Sequence, residues 1–236
     1  PPHRPRIPPP QLSQRPGHTK DPANPSNILE KFLLAETLEE RLPYMTKSRL
    51  NADQLAHSSL AVPFPEIINR RSIHYMENRS ERLKEHFYEV FFQMAPNQQP
   101  TSILVQLNDW GDGKVLVHTD AFLDLFDDNL AKFADAPVAG PRTFHVVADA
   151  YKHCFDDIIP GWEKKSVLKL RTHQRSAPCL VAYFNRNSAI SDEISQPNAL
   201  PWGESGICTV TVEWNTEVPE RPFVELRRID GFTWNP

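Results

Sequence analysis

From about Phe87 the apolar residues of this chain recur at every second position, and from 143 onward the strand-like segments are joined by loops too short to hold crossover helices. Those two properties point to antiparallel pairing, because parallel neighbours need a long return connection. Tyr88, Val90, Phe92 and Met94 alternate with Glu89, Phe91 and Gln93, a loop follows at 96–100, and 102–107 reads as the return strand of a hairpin. Gly111 and Gly113 make a turn before a short strand at 114–118. Further strands are expected at 143–154, 166–173, 179–185, 206–214 and 223–229, with one helical turn at 191–195.

The text before Phe87 reads as helical. Ser26 or Asn27 can cap a first helix whose apolar side is Ile28, Phe32, Leu33 and Ala35. Thr37 with Glu40 forms a capping-box signature for a short helix at 38–42, which Pro43 stops. Leu50, Leu55 and Leu60 fit a helix over 49–60, and 66–75 reads as helical again after Pro63 and Pro65. A later helix, capped by Thr119 or Asp120, carries Phe122, Leu123, Leu125, Phe126, Leu130 and Phe133. Its Asp124, Asp127 and Asp128 are expected to face solvent near its N-terminal half, where the helix dipole favours them. The fold class is therefore α+β, with N-terminal helices packed on a curved antiparallel sheet.

Ahead of this body lies an extended Pro-rich N-terminal arm, residues 1–27, holding nine of the 23 prolines. Pro2, Pro5 and Pro8 fall at the period of a polyproline II helix, which makes the arm a stiff linker or a ligand for an aromatic groove. Residues 28–236 are read as one α+β domain, long enough to bury a sizeable core. The arm carries Arg4, Arg6, Arg15 and Lys20 against Asp21, so of the net charge of −4 the body holds −7. That sign disfavours nucleic acid as a partner. No window is apolar enough to span a membrane. The chain starts at Pro1, and a Pro-rich arm is what stands beside a removed tag, signal or N-terminal membrane anchor, so the compartment is left open between cytoplasm and cell envelope. Cys154, Cys179 and Cys208 are too few for a disulfide framework, have no C-x-x-C spacing, and read as buried thiols.

Chemistry concentrates on the segment 143–154. One face carries Phe144, Val146, Ala148 and Ala150; the other carries His145, Val147, Asp149, Tyr151 and His153. If the second face lines a concave surface, His145 or Asp149 can serve as a base with Tyr151 as donor. The alternative is the wet face of an ordinary antiparallel sheet. His145 and His153 are about 26 Å apart on a straight strand, which argues against a shared metal, and neither a metal nor a cofactor is expected. His118 reads as a satisfied histidine at a strand end, and Asp109-Trp110-Gly111-Asp112-Gly113 as a turn lacking the ligand spacing of a calcium loop. No glycine-rich phosphate loop or nucleophile elbow occurs. Trp202, Trp214, Phe223, Phe232 and Trp234 suit the end of a sheet core or a ligand platform. Glu213, Glu225, Arg227 and Arg228 read as cross-strand pairs.

Leu33-Leu34-Ala35-Glu36-Thr37-Leu38-Glu39-Glu40-Arg41-Leu42-Pro43-Tyr44 at the front carries a family likeness. So do Val181-Ala182-Tyr183-Phe184-Asn185-Arg186-Asn187-Ser188, 209–214 and 223–234 at the back. Together they resemble uncharacterised bacterial domains of the cystatin-like, nuclear-transport-factor-like α+β cone. The resemblance implies helices held inside one strongly bent sheet, an anchor tethered by a flexible linker, and a fold that hosts isomerases, dehydratases and non-enzymatic modules alike. It carries no catalytic residue across. Two functions follow as expectations. One is a non-catalytic binding or assembly domain for a protein partner or small apolar ligand, with a homodimer through the open sheet face. The other is an isomerase- or dehydratase-like enzyme using His145, Asp149 and Tyr151.

Overall fold

The computed structural model describes residues 24–77, 83–172, 178–197 and 199–235. Most of the Pro-rich arm lies outside them, and its last residues belong to the body. Helix α1 spans Pro25–Leu34, with Asn24 as the cap, its side chain accepting from the Ser26 N–H. The helix therefore starts before the expected boundary at 28, because Pro25 at the first position has its φ preset and no N–H to satisfy. Helix α2, Leu38–Arg41, has the capping box that Thr37 and Glu40 announce. Pro43 follows in a tight turn, and α3 is confined to Ala52–Ala56.

Arg41 ties this region together. Its side chain is fully buried and donates to the carbonyls of Phe32, Ala35, Leu60 and Val62, with its guanidinium 3.9 Å from the centre of the Phe64 ring. Burial lowers the Arg41 pKa from its usual value, and Glu40 offsets part of that. The four carbonyls belong to chain ends and turns that have no ladder partner, so one planar cation satisfies several orphan acceptors.

Four strands make the first sheet, in the order β1-β2-β3-β4: β1 Glu66–Glu77, β2 Lys84–Gln93, β3 Thr101–Asp109 and β4 Val115–Val117. All its pairs are antiparallel. The expected helix at 66–75 is thus a strand. Its Ile67, Ile68 and Ile73 favour extended backbone, and pairing with the whole of β2 outweighs the helix-compatible spacing. One face of the sheet presents Val90, Phe92, Ile103, Val105 and Leu107 to α1 and to α4 (Thr119–Phe126). An aromatic cluster of Phe32, Phe64, Phe92, Phe122 and Phe126 fills that space. The register puts Glu85 opposite Asn108 and Phe87 opposite Gln106 on the other face.

The remaining strands close into a five-stranded barrel, β5-β6-β7-β9-β8. They are β5 Arg142–Tyr151, β6 Lys165–Arg171, β7 Leu180–Asn185, β8 Ser205–Asn215 and β9 Phe223–Gly231. The α+β class stands, and the antiparallel meander holds for the first sheet and for β5-β6-β7 but not for the rest of the barrel, where β9 rather than β8 follows β7. The single bent sheet does not stand, because the strands divide into two sheets and the second closes on itself. Closure depends on a parallel contact, Ala182 with Val224 and Tyr183 with Glu225. The expected inward face of β5 (Phe144, Val146, Ala148 and Ala150) lines the barrel with Leu168, Leu170, Ala182, Cys208, Val210 and Leu226. The alanines leave room for the larger side chains in so narrow a barrel. Leu130 and Phe133 of α5 (Asn129–Ala134) and Ile194 of α6 (Ala189–Ile194) join the same core. So does Leu200, and a Cβ built on Gly206 would sit 2.7 Å from its Cδ1, so a larger residue there would make the Leu200 side chain shift.

Trp234 joins the two halves. It is fully buried in the first core, its ring centre 5.7 Å from that of Phe87 on β2. Its indole N–H donates to the Val146 carbonyl on β5 at 3.1 Å. Cys154 and Cys208 are buried free thiols as expected, whereas Cys179 lies exposed just before β7. Among the described residues no helix is long and apolar enough to cross a membrane.

Candidate active site

The expected set of His145, Asp149 and Tyr151 separates into three surroundings. Asp149 is buried, accepting from Arg171 of β6 and from the Ser205 hydroxyl of β8, and is fully occupied as a structural ion pair. Tyr151 is exposed, with the Lys169 ammonium 4.7 Å from its ring centre. His145 is buried and has a different partner from either. Four residues of strand put it about 13 Å from Asp149. The face alternation holds, but the face is covered along part of its length by α4 rather than being uniformly wet or uniformly concave.

What His145 meets instead is Asp124 of α4. Asp124 Oδ2 accepts the ring Nδ1–H of His145 at 2.7 Å and its backbone N–H at 3.1 Å. On Oδ1, Asp124 accepts from the Arg49 guanidinium and from Asn129 Nδ2 at 3.3 Å. The carboxylate is 1% exposed and so corrects the expectation that Asp124 faces solvent. Asp127 is half-buried and its pKa is raised by that burial; of the three acids Asp128 alone is exposed. Helix α4 stops after Phe126, and Asp128 adopts a left-handed backbone with φ 52° that starts α5. The one expected helix is therefore two, and the break lets α4 lay Asp124 against β5.

His118, not Thr119 or Asp120, caps α4, its Nδ1 accepting from the Ala121 N–H at 3.2 Å. The ring packs edge-on to His145, centres 5.0 Å apart. Burial first and His145 second push its pKa down to about 4, against the raising effect of Asp120 and of the Trp234 carbonyl. His118 is consequently neutral at physiological pH, with its proton on Nε2. The unfolded chain takes up a proton at His118 near pH 6.5 and the folded one only near pH 4, so His118 costs stability as pH falls through that window. We expect His118→Asn, which keeps the cap, to remove about 2–3 kcal/mol of acid destabilisation between pH 7.5 and pH 4. Urea midpoints at the two pH values check this. An equal fall in variant and wild type rules it out.

Both histidines line a cleft of about 520 Å³. Asn108 and Leu116 of the first sheet, with Trp110 and Lys114 of its β3–β4 turn, bound one side, and Thr143, Thr209 and Asp230 of the barrel the other. Trp234 and Asn235 close it, and Thr46, Lys47 and Asp120 complete the rim. Behind Asn108 is a buried polar cluster. Gln106 Nε2 donates to Glu85 Oε1 at 3.1 Å and to Asn108 Oδ1 at 2.7 Å, and Asn235 donates to both acceptors. Glu85 is fully buried, and that burial raises its pKa. The cleft's hydroxyls are engaged. Thr143 bonds Thr211, Thr209 donates to the Thr233 carbonyl, and Thr46 accepts from the Thr119 N–H. Among the described residues no cysteine lines it.

His145 has its Nδ1 proton committed to Asp124, and among the described residues no hydrogen bond is made by its Nε2. An Asp-held imidazole with its outer nitrogen unengaged beside a cleft is the arrangement of a general base. A larger hollow of about 660 Å³ over α1 has its carboxylates spent, Glu40 on the capping box and Glu30 on Arg70. Among the described residues no cluster of three or more His, Cys, Asp or Glu is placed to hold a metal. No protein-family model, curated protein or solved structure matches this chain.

Sequence reasoning singles out His145 but misses its partner. Asp124 is one of three acids in five residues, and only the packing of α4 on β5 distinguishes it. Trp234, expected in the core or on a ligand platform, lies in the core and also lines the cleft.

Proposed function

We propose that the chain is an acid–base enzyme acting on a small molecule, with isomerase- or dehydratase-like proton transfer at His145. One observation carries this reading: His145 Nδ1 is fixed by buried Asp124 while Nε2 stands unbonded at a cleft of ligand size. It is preferred to the non-catalytic binding or assembly domain because such a module has no use for a buried, oriented imidazole. The chemistry keeps what the cone resemblance implies without depending on the cone itself.

In the proposed step a C–H bond beside a carbonyl breaks. Its proton goes to His145 Nε2 and its electron pair moves onto the carbonyl oxygen. Where the deprotonated carbon also carries a hydroxyl, a proton shift between the two oxygens and return of the proton to the former carbonyl carbon complete an isomerisation; where a β-hydroxyl is present, its departure as water with the proton from His145 completes a dehydration. With its hydroxyls engaged and no thiol among its lining residues, the cleft favours proton transfer over an ester or thioester intermediate. Asn108 spends one amide N–H on Asn235 and has a second to offer the developing oxyanion.

The test is incubation of the protein in D2O with a panel of small ketones, oxo acids and hydroxy acids, read by proton NMR. Deuterium is expected to enter at least one compound, with His145→Gln slower by about 10²–10⁴-fold at unchanged circular dichroism. Exchange no faster than in buffer, or equal in the variant, would sink the reading.

A second reading, binding of a small apolar ligand, is favoured by a separate cleft of about 440 Å³ beside β5–β7. Phe155, which lines it, is 87% exposed. A membrane anchor, a protein partner and a homodimer have no comparable observation behind them.

A further inference from the structure

We infer that the cleft at His145 is built for a small organic oxyanion, a carboxylate or a phosphate, seated on Lys47 and Lys114. This names the substrate class for the proton transfer proposed above and rests on that reading.

The carboxylates are engaged. Asp120 accepts the Ser48 hydroxyl at 2.5 Å and the Arg49 N–H on both oxygens, at 3.2 and 3.1 Å. Asp230 accepts the Thr211 hydroxyl at 2.6 Å on one oxygen and the Arg228 guanidinium on the other. Asp124 is divided between His145 and Arg49. The two ammonium groups meet no protein acceptor among the described residues. Among the described residues neither Lys47 nor Lys114 has a carboxylate partner or donates a hydrogen bond from its side chain. Arg228 neutralises Asp230 and Arg49 neutralises Asp124, while neither ammonium has an anion beside it, so the cleft keeps two cationic donors for an anionic ligand.

Both lysines are also placed rather than loosely appended. The backbone beside Lys47 is pinned on either side. Met45 bridges to Val117 and the Thr46 N–H donates to the Val117 carbonyl at 2.9 Å; Ser48 and Arg49 then grip Asp120. Lys114 closes the Asp109–Lys114 turn, where its N–H donates to Asp112 at 2.9 Å, and its ammonium stands 5.6 Å from the centre of the Trp110 ring. Trp110 itself lines the cleft. An ammonium held there would also stabilise the negative charge that develops on the substrate when His145 takes its proton.

The test uses the full chain with ¹⁵N-labelled histidine. His145 ring signals are followed while propionate, inorganic phosphate or the neutral isostere propionamide is added, in wild type and in Lys47→Gln/Lys114→Gln. Both lysines are exposed, so the double variant retains the fold. Propionate or phosphate is expected to move the His145 signals, and the stronger of the two identifies the group. The double variant should bind it at least roughly tenfold more weakly, and added salt should weaken it further in wild type. Propionamide binding as well as propionate overturns the inference, as does an unchanged affinity in the double variant. The two readings fail separately. Anion binding without deuterium exchange defeats the enzyme reading alone. Exchange into a neutral ketone that ignores the lysine substitutions defeats the anion site alone.

Discussion

Replacing Asp124 by asparagine should abolish nearly all proton transfer while leaving the fold in place. In Asp124→Asn the amide oxygen in the Oδ1 position still accepts from Arg49, which also donates to the Thr143 carbonyl and so keeps α4 tied to β5, while the bond from the His145 backbone N–H to the Oδ2 position is lost. The amide nitrogen, however, presents a donor to His145 Nδ1. The imidazole then carries its proton on Nε2, and the nitrogen aimed at the substrate can no longer accept. The same exchange in a Ser-His-Asp triad lowers kcat about 10⁴-fold for this reason, and a loss of about 10³–10⁴ is expected here. Asp124 is a positioning residue, so rate alone does not decide its role. The ¹⁵N shifts of His145 report the tautomer directly. Wild type should show a protonated Nδ1 and an acceptor Nε2, and the variant the reverse. An unchanged tautomer with lost activity would mean that Asp124 acts only through stability.

The largest loss of stability is expected at Trp234. Its ring is fully buried between Phe87 of the first sheet and His145 of the barrel, and its N–H satisfies the Val146 carbonyl. Trp234→Ala removes that contact area, leaves a space the two sheets cannot both close, and orphans a buried carbonyl. A cost of about 3–5 kcal/mol follows. Trp234→Phe keeps an aromatic body and loses the hydrogen bond, for about 1–2 kcal/mol. Guanidinium unfolding midpoints rank the three proteins. An alanine variant within about 1 kcal/mol of wild type, far below the cost of emptying a core site, would show that the halves are held together elsewhere.

The parts of this fold that are legible in the sequence are those governed by local rules. Thr37 and Glu40 sit three apart and form their capping box, and the glycines of 109–114 make the expected turn. Barrel strands follow their alternation closely, and Arg227 pairs across strands with Glu213 as expected, although its second partner Glu225 and the Arg228–Asp230 pair lie within β9 itself. What is not legible depends on residues far apart in the chain. Residues 66–75 have ambiguous spacing, and only a partner strand makes them extended. Closure of the barrel through β7 and β9 leaves no mark in either segment. Asp124 looks identical to its acidic neighbours until α4 is docked, which is why half of the proposed dyad reads as solvent-facing.

The barrel's connectivity has a kinetic side. The proposed base is on the first barrel strand, its carboxylate partner on a helix before the barrel, and the wall of the cleft at Trp234 just after the last strand. Trp234 follows directly on β9, which pairs with both β7 and β8, and its contacts with Phe87 and Val146 span most of the described chain. Such distant pairings are slow to form because chain entropy is lost before contacts repay it. The cleft is therefore among the last features to appear during folding, and a partly folded chain, even one with both β2–β3 and β5–β6 hairpins formed, holds the right residues but no working site.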